Sequence, residues 1–135
     1  MGTRSLTYVY DSKYVIGDKT PIVCMYRQFD GYPTGHGAEL AEFINSGKMV
    51  NGLGLETDRV FNGMGCMAAQ MIAHFKQTPG GFYIYAVDLD QDCWQDYEYH
   101  VFEDLVKITG PRQETIEFTG TWEKFEEYCK VGETV

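Results

Sequence analysis

The sequence predicts an α+β fold: an antiparallel β-sheet with two central helices and a C-terminal helix packed on it. Three observations lead there. Runs of β-branched and aromatic residues occur as a pair near the N-terminus and again as a group after residue 82. Between them lie two segments whose apolar residues recur at spacings of three and four, the period of an amphipathic helix. The later strands follow one another through short turns, which favours antiparallel pairing, and no alternation of strand with helix supports a doubly wound parallel sheet.

The elements follow in order. "TRSLTYVY", residues 3–10, and "PIVCMYR", 21–27, read as two strands, and the polar "DSKYVIGDKT" between them makes an antiparallel hairpin with an extended turn. Pro21 is tolerated at a strand start, where no ladder hydrogen bond need be lost. After a glycine-rich loop, "AELAEFI", 38–44, places Leu40, Phe43 and Ile44 on one helical face and Glu39 and Glu42 on the other. Residues 45–61 read as an irregular connector. The strongest helix is "NGMGCMAAQMIAHFKQ", 62–77, in which Met64, Met67, Ala68, Met71, Ile72 and Phe75 form the apolar stripe and Pro79-Gly80-Gly81 ends the run. "FYIYAVD", 82–88, and "YEYHVFE", 97–103, read as strands separated by an acidic turn. "LVKIT" and "ETIEFTG" supply one or two more. Thr121 caps a last helix with Trp122, Phe125 and Tyr128 facing inward. With no internal repeat and no linker, residues 1–135 form a single domain.

Composition narrows the function. Hydrophobic residues make up 44% and aromatics 15%, enough for a folded core. Lys plus Arg number 11 against 20 Asp plus Glu, a net charge of −9, which repels nucleic acid and anionic lipid at long range. Neither is expected as a partner. Cys24, Cys66, Cys93 and Cys129 have no CxxC or zinc-like spacing and read as reduced core thiols. Without a signal peptide or an apolar run long enough to span a bilayer, the chain reads as cytoplasmic.

The stretch "YRQFDGYPTGHGAELAEF", 26–43, is the first candidate site. Asp30-Gly31 and Tyr32-Pro33 are turn dipeptides, and Gly35 and Gly37 free the backbone to take φ > 0 ahead of the helix. One reading makes the loop an elaborate turn. The other has its N–H groups facing an anion at the helix start, with Arg27 as a forked donor and Phe29 and Tyr32 as ring faces. Turn geometry requires none of Arg27, Gln28 and His36. The second candidate is "RVFNGMGCMAAQ". Asn62 is a good N-cap, while Gly63 and Gly65 each weaken the first helical turn by about 1 kcal/mol relative to alanine. Close approach of another backbone or of a ligand would account for them. Met64, Met67 and Met71 also fit a core stripe.

Other patterns fail. "DLDQDCWQD" begins like a calcium loop, but Cys93 and Tyr99 stand where that template needs glycine and glutamate. A solvated acidic turn is the reading. GxxxxGK[ST], GxSxG and HExxH are absent, and the histidines are not spaced as metal ligands. No catalytic residue, metal site or cofactor is assigned.

Four blocks, "MGTRSLT", "YRQFDGYPTGHGAELAEF", "FNGMGCMAAQMIAHFK" and "GGFYIY", resemble a family of small hypothetical proteins of bacteria and phages. The resemblance spans about residues 1–103. It implies a phage context, hence the cytoplasm of a host, and brings no activity or site residue with it.

The sequence thus points to a non-catalytic small-ligand-binding protein, the ligand being phosphate-bearing or nucleotide-like, such as a host immune signal that a phage protein would sequester. Candidate ligand-binding residues are Arg4, Arg27, Gln28, Asp30, Tyr32, His36, Asn62 and Met64. Two alternatives stand beside it. A small hydrolase or phosphodiesterase would use His36 as acid or base, with Asp30 orienting it and Arg27 stabilising charge. An acidic interaction module would occupy a basic partner. The aromatic strands also offer a homo-oligomer interface.

Overall fold

A computed structural model describes residues 2–15, 20–50 and 60–131. The fold is α+β. Strands β1 (Ser5–Tyr10), β2 (Pro21–Arg27), β5 (Phe82–Tyr85), β6 (Tyr97–Val101), β7 (Val106–Thr109) and β8 (Ile116–Gly120) form one sheet in the order β5-β2-β1-β6-β7-β8. A short π-helical turn, Pro33–Gly37, runs into α1 (Ala38–Asn45). The other helices are α2 (Gly63–Phe75) and α3 (Trp122–Val131). No helix among the described residues is long and apolar enough to cross a membrane.

The β1–β2 hairpin is antiparallel as expected, but its turn residues 16–19 lie outside the described residues. Two expectations are corrected. The segment read as an irregular connector holds a small parallel pair, β3 (Lys48–Val50) and β4 (Val60–Asn62), which drives Phe61 into the core; the rest of that connector, 51–59, is not described. More consequentially, β5 and β6 are not hairpin partners. β5 pairs with β2 at one edge, and β6 pairs in parallel with β1. Each is parallel to β1, so no tight turn can join them. The segment 86–96 must instead cross beneath β2 and β1. It packs Leu89 and Cys93 against Leu6, Tyr8, Cys24 and Tyr26, and its Asp88 carbonyl accepts a 2.8 Å hydrogen bond from the Tyr8 hydroxyl. The stretch read as an acidic turn therefore covers the part of that sheet face formed by β1 and β2. Its acids remain in water, Asp88 and Asp92 closing local turns through Asp90 N and Trp94 N.

β1 is central and is buried along its entire length, which explains its nearly unbroken apolar and aromatic run. Helices cover the other face, where the core gathers Val9, Met25, Leu40, Phe43, Ile44, Tyr99, Ile108 and the methionine stripe of α2. Met64, Met67 and Met71 are at most 1% exposed, in agreement with the periodicity. On α3 the inward pair is Phe125 and Cys129, not Phe125 and Tyr128; Tyr128 is 38% exposed and stacks on Phe118. The small thiol fits where a ring would not. A Cβ added at Gly37 would already lie 2.8 Å from Cys129 Sγ, so the close approach of α3 to the π-turn selects the small side chain and rotates the tyrosine outward. Thr121 caps the helix as expected, its Oγ1 accepting from Lys124 N at 3.2 Å.

This packing separates two substitutions at neighbouring positions of α3. Phe125→Ala should lower the free energy of unfolding by about 3–5 kcal/mol, the usual cost of emptying an aromatic core site. Tyr128→Ala should cost less than about 1 kcal/mol. Urea melts of both variants check this, and equal losses would place the wrong face inward.

Candidate functional site

The 26–37 loop is built around a buried imidazole. His36 has no exposed surface. Its Nδ1 faces Arg27 Nη1 at 3.2 Å and its Nε2 faces Thr7 Oγ1 at 2.8 Å. A guanidinium can only donate, so Nδ1 must be the acceptor and Nε2 carries the proton, which it gives to Thr7. Phe75 and Tyr99 enclose the ring at centroid distances of 5.3 and 5.1 Å. Burial, and then the neighbouring Arg27 charge, push the His36 pKa down to about 3. The ring is neutral at physiological pH.

Arg27 is equally committed. Beyond His36, its two terminal nitrogens meet the two carboxylate oxygens of Glu39 at 3.3 Å each, a fork-to-fork pair, and its guanidinium lies 4.9 Å over the Phe82 ring. Its side chain is 11% exposed. Four of the loop amides are also occupied. Gly31 N donates to Thr3 O, Gly35 N and Gly37 N to Tyr32 O, and His36 N to Asp30 O at 2.6 Å. An anion finds no free N–H among those four. The glycines serve close packing rather than positive φ. A Cβ at Gly35 would sit 2.5 Å from Asp30 O, and the left-handed residue is Asp30 itself, at φ 58°.

The remaining candidates are scattered. Gln28 donates its backbone N–H to Gly81 O, an extension of the β2–β5 ladder. Arg4 lies on the opposite sheet face, its Nε 2.9 Å from the Tyr26 hydroxyl. Asn62 occupies the N-cap position of α2 without a side-chain capping bond, and Met64 is in the core. Gly63 has φ +84°, which explains that glycine without a ligand, and among the described residues nothing lies within 4 Å of a Cβ placed on Gly63 or Gly65. Among the described residues no backbone approach accounts for Gly65.

Of the eight, Tyr32 borders a groove. Its outer wall, with Pro33 and Thr34, faces Tyr97 at the start of β6 and the Lys124, Glu127 and Tyr128 face of α3, around a space of about 820 Å³. Tyr32 is 39% exposed, and its hydroxyl donates to the Asp30 carboxylate at 3.2 Å. The Tyr97 and Tyr128 pKa values are raised by burial first, so both phenols stay protonated. Lys124 joins none of the ion pairs found among the described residues. Sequence reasoning missed Tyr97, Lys124, Glu127 and Tyr128. The signal available was the i, i+3, i+4 spacing of Lys124, Glu127 and Tyr128, which shares one helical face.

A second polar cluster lies beneath the sheet. Glu98, fully buried, accepts from Gln95 Nε2 at 2.9 Å, Arg112 N at 2.7 Å and Thr109 Oγ1 at 3.2 Å, with His100 Nε2 at 3.4 Å. The Tyr10 hydroxyl donates to His100 Nδ1 at 2.7 Å. Burial raises the Glu98 pKa, but the hydrogen bonds from His100, Gln95 and Arg112 outweigh it and leave the pKa lowered. His100 is lowered by burial against the opposing pull of Glu98. Among the described residues no group of three or more His, Cys, Asp or Glu side chains could hold a metal ion, and the four cysteines are free thiols. Comparison with protein-family models, curated proteins and solved structures finds no match to the chain.

The buried histidines set a pH dependence. The folded-state pKa of His36 is below its ordinary value of 6.5, so the unfolded chain takes up the proton first as pH falls. Stability is therefore complete above about pH 6.5 and declines below it, by up to about 1.4 kcal/mol per pH unit for each such histidine. His100 acts in the same direction. Glu98, lowered as a carboxylate, loses its contribution only at more acid pH. In His36→Gln the amide oxygen can accept from Arg27 and the amide nitrogen can donate to Thr7 without titrating. Urea melts between pH 5 and 6.5 should give a slope smaller by about one proton in the variant. Equal slopes would mean that His36 is protonated in the folded protein.

Proposed function

We propose that the protein is a non-catalytic binder of a small planar ligand, held in the groove between Tyr32, Tyr97 and Tyr128. One observation carries this reading: three tyrosines from three separate elements converge on one concave surface, beside a single lysine that has no ion-pair partner among the described residues. Aromatic walls stack a flat ring of any identity, at about 1–3 kcal/mol for each base stacked. Lys124 supplies one positive charge, and Glu127 a hydrogen-bond acceptor for a ring N–H. A polyphosphate is disfavoured by the −9 net charge and by the single cation, Lys124, among the groove's lining residues. The ligand class is a nucleobase-like ring carrying a single phosphate or phosphodiester.

The likeness of four sequence blocks to small proteins of bacteria and phages motivates the biological form of the proposal. A phage protein in the host cytoplasm would sequester a nucleotide-derived immune signal, a task that needs affinity and abundance rather than a nucleophile. The buried, doubly bonded His36 favours binding over hydrolysis, because a general base needs a free lone pair within reach of substrate.

The test is calorimetric titration with a panel of linear and cyclic mononucleotides and dinucleotides, followed by heat release and chromatography of the bound fraction. Intact ligand should be recovered, and Tyr128→Ala should weaken binding about five- to a hundredfold. Lys124→Ala should weaken it less, and by an amount that shrinks with added salt. Chemically altered ligand would indicate an enzyme, and no retention across the panel would remove the proposal. Arg27→Ala serves as a contrast: it should lower stability and leave the affinity of the folded protein unchanged, because Arg27 is engaged inside the fold.

A further inference from the structure

We propose that Glu127 makes the tyrosine groove selective for guanine over the other nucleobases, an inference that rests on the binding reading above. Stacking cannot choose a base by itself, since every base offers a flat π-face. Selection has to come from the polar groups that meet the edge of the ring. Phe118 stacks on Tyr128 at 4.7 Å and covers one of its faces, so a stacking ligand meets the other. The α3 wall that carries this ring also carries Lys124, one turn earlier, and Glu127, immediately before it.

The other lining groups do not discriminate between bases. Tyr32 already gives its proton to the Asp30 carboxylate at 3.2 Å. Thr34 and the phenols of Tyr97 and Tyr128 can turn to donate or accept, so they suit any edge. The Lys124 ammonium is a compact point charge on a flexible stem, matched to the ligand's phosphate. Among the described lining residues, Glu127 is the one whose side chain, as a carboxylate, only accepts. It joins none of the ion pairs found among the described residues. On α3 the pair is Lys130 with Glu126 at 2.8 Å, and Lys124 stays apart from Glu127 despite their i, i+3 spacing. Glu117 adds to the same polarity. After burial, its charge helps to raise the pKa values of Tyr97 and Tyr128, so the potential here favours N–H groups over lone pairs.

A carboxylate takes two adjacent N–H donors in a bidentate, charge-assisted pair. Guanine offers them, with N1–H beside its N2 amino group. Adenine sets the N1 lone pair beside its N6 amino group, and cytosine sets the N3 lone pair beside N4. Uracil holds its single N3–H between two carbonyl oxygens. Each of these three brings an acceptor against a carboxylate oxygen, so the residue that holds guanine also repels them. Hypoxanthine has N1–H without the amino group and makes half of the contact.

Calorimetric titration of the full chain tests the assignment. The probes are GMP, IMP, AMP, CMP and UMP as 5′-monophosphates, and the cyclic dinucleotides of guanine and of adenine. Within each set the charge is equal, which removes Lys124 and the net −9 from the comparison. GMP should bind about ten- to a hundredfold more tightly than AMP, CMP or UMP, with IMP between. Glu127→Gln should shift the preference toward AMP and CMP, because an amide presents one acceptor and one donor, the complement of their edges. Glu127 is exposed, so this exchange leaves the core untouched, and far-UV circular dichroism verifies folding. If guanine ligands bind no better than adenine ligands, or if Glu127→Gln leaves the order of affinities unchanged, the guanine assignment falls while the groove reading stands. If no member of the panel binds, the groove reading itself falls, and the assignment with it.

Discussion

A neutral imidazole in the middle of the protein is the constraint on which the rest of this structure depends. His36 joins Thr7 of β1 to Arg27 of β2, and Arg27 passes the connection to Glu39 in the first turn of α1. One ring thus bolts the sheet to the loop and the loop to a helix. The ring must be neutral, because a desolvated imidazolium beside a guanidinium would be doubly unfavourable. It must be the Nε2–H tautomer, because Arg27 cannot accept. It also needs a short polar side chain opposite, and Thr7 of β1 supplies it. The π-turn at 33–37 follows from the same demand. His36 N reaches Asp30 O while Gly37 N reaches Tyr32 O, and this widened turn carries the ring inward before the α-helix begins.

The opposite face of the sheet is organised in the same way around a carboxylate. Glu98 gathers Gln95 from the crossing segment, Thr109 from β7 and the N–H of Arg112 from the turn that follows. That turn holds Arg112 and Gln113 at φ 52° and 59°, unfavourable for residues with side chains. The Arg112 N–H to a buried charge offsets the strain, since charge-assisted bonds are the strong ones. β1 serves both clusters. Thr7 faces His36 above the sheet, and Tyr10 reaches His100 below it. The central position of this strand is therefore fixed by polar contacts as well as by burial.

Local patterns in the sequence are legible and distant pairings are not. The period of α2, the β-branched and aromatic runs of β1 and β2 and the Thr121 cap depend on neighbours within a few residues, and each is present in the fold. The parallel β1–β6 pair depends on where residue 97 goes after leaving β5, which no short-range signal encodes. An acidic, turn-rich stretch can end a hairpin or cross a sheet; only Leu89 and Cys93, two apolar residues among the aspartates, hint at a crossing. The loop at 26–37 stands out in the sequence, and Tyr32 does line a groove. Arg27 and His36 stand out because turn geometry does not need them, and in the fold they face inward, where tertiary structure does. Polar residues in a glycine-rich loop give the same sequence signal whether they await a ligand or hold a sheet.

The two clusters also decide what surface remains for recognition. Both nitrogens of His36, the fork of Arg27 and the amides of Gly31, Gly35, His36 and Gly37 are satisfied within the fold, so these groups offer a ligand little to bind. The tyrosines of the groove are a different case, because each stands on an element that a buried contact holds in place. Tyr32 lies inside the loop closed by the bond from His36 N to Asp30 O, and Tyr97 immediately precedes Glu98. Tyr128 precedes Cys129, whose sulfur lies against Gly37. Under the binding reading proposed above, rings positioned this way would lose little further freedom on stacking a flat molecule, so more of the stacking energy would be retained as affinity. A buried anchor that looks like a catalytic group and an exposed wall that looks like leftover core are thus two parts of one arrangement: the polar interior sets the geometry, and the aromatic exterior presents it.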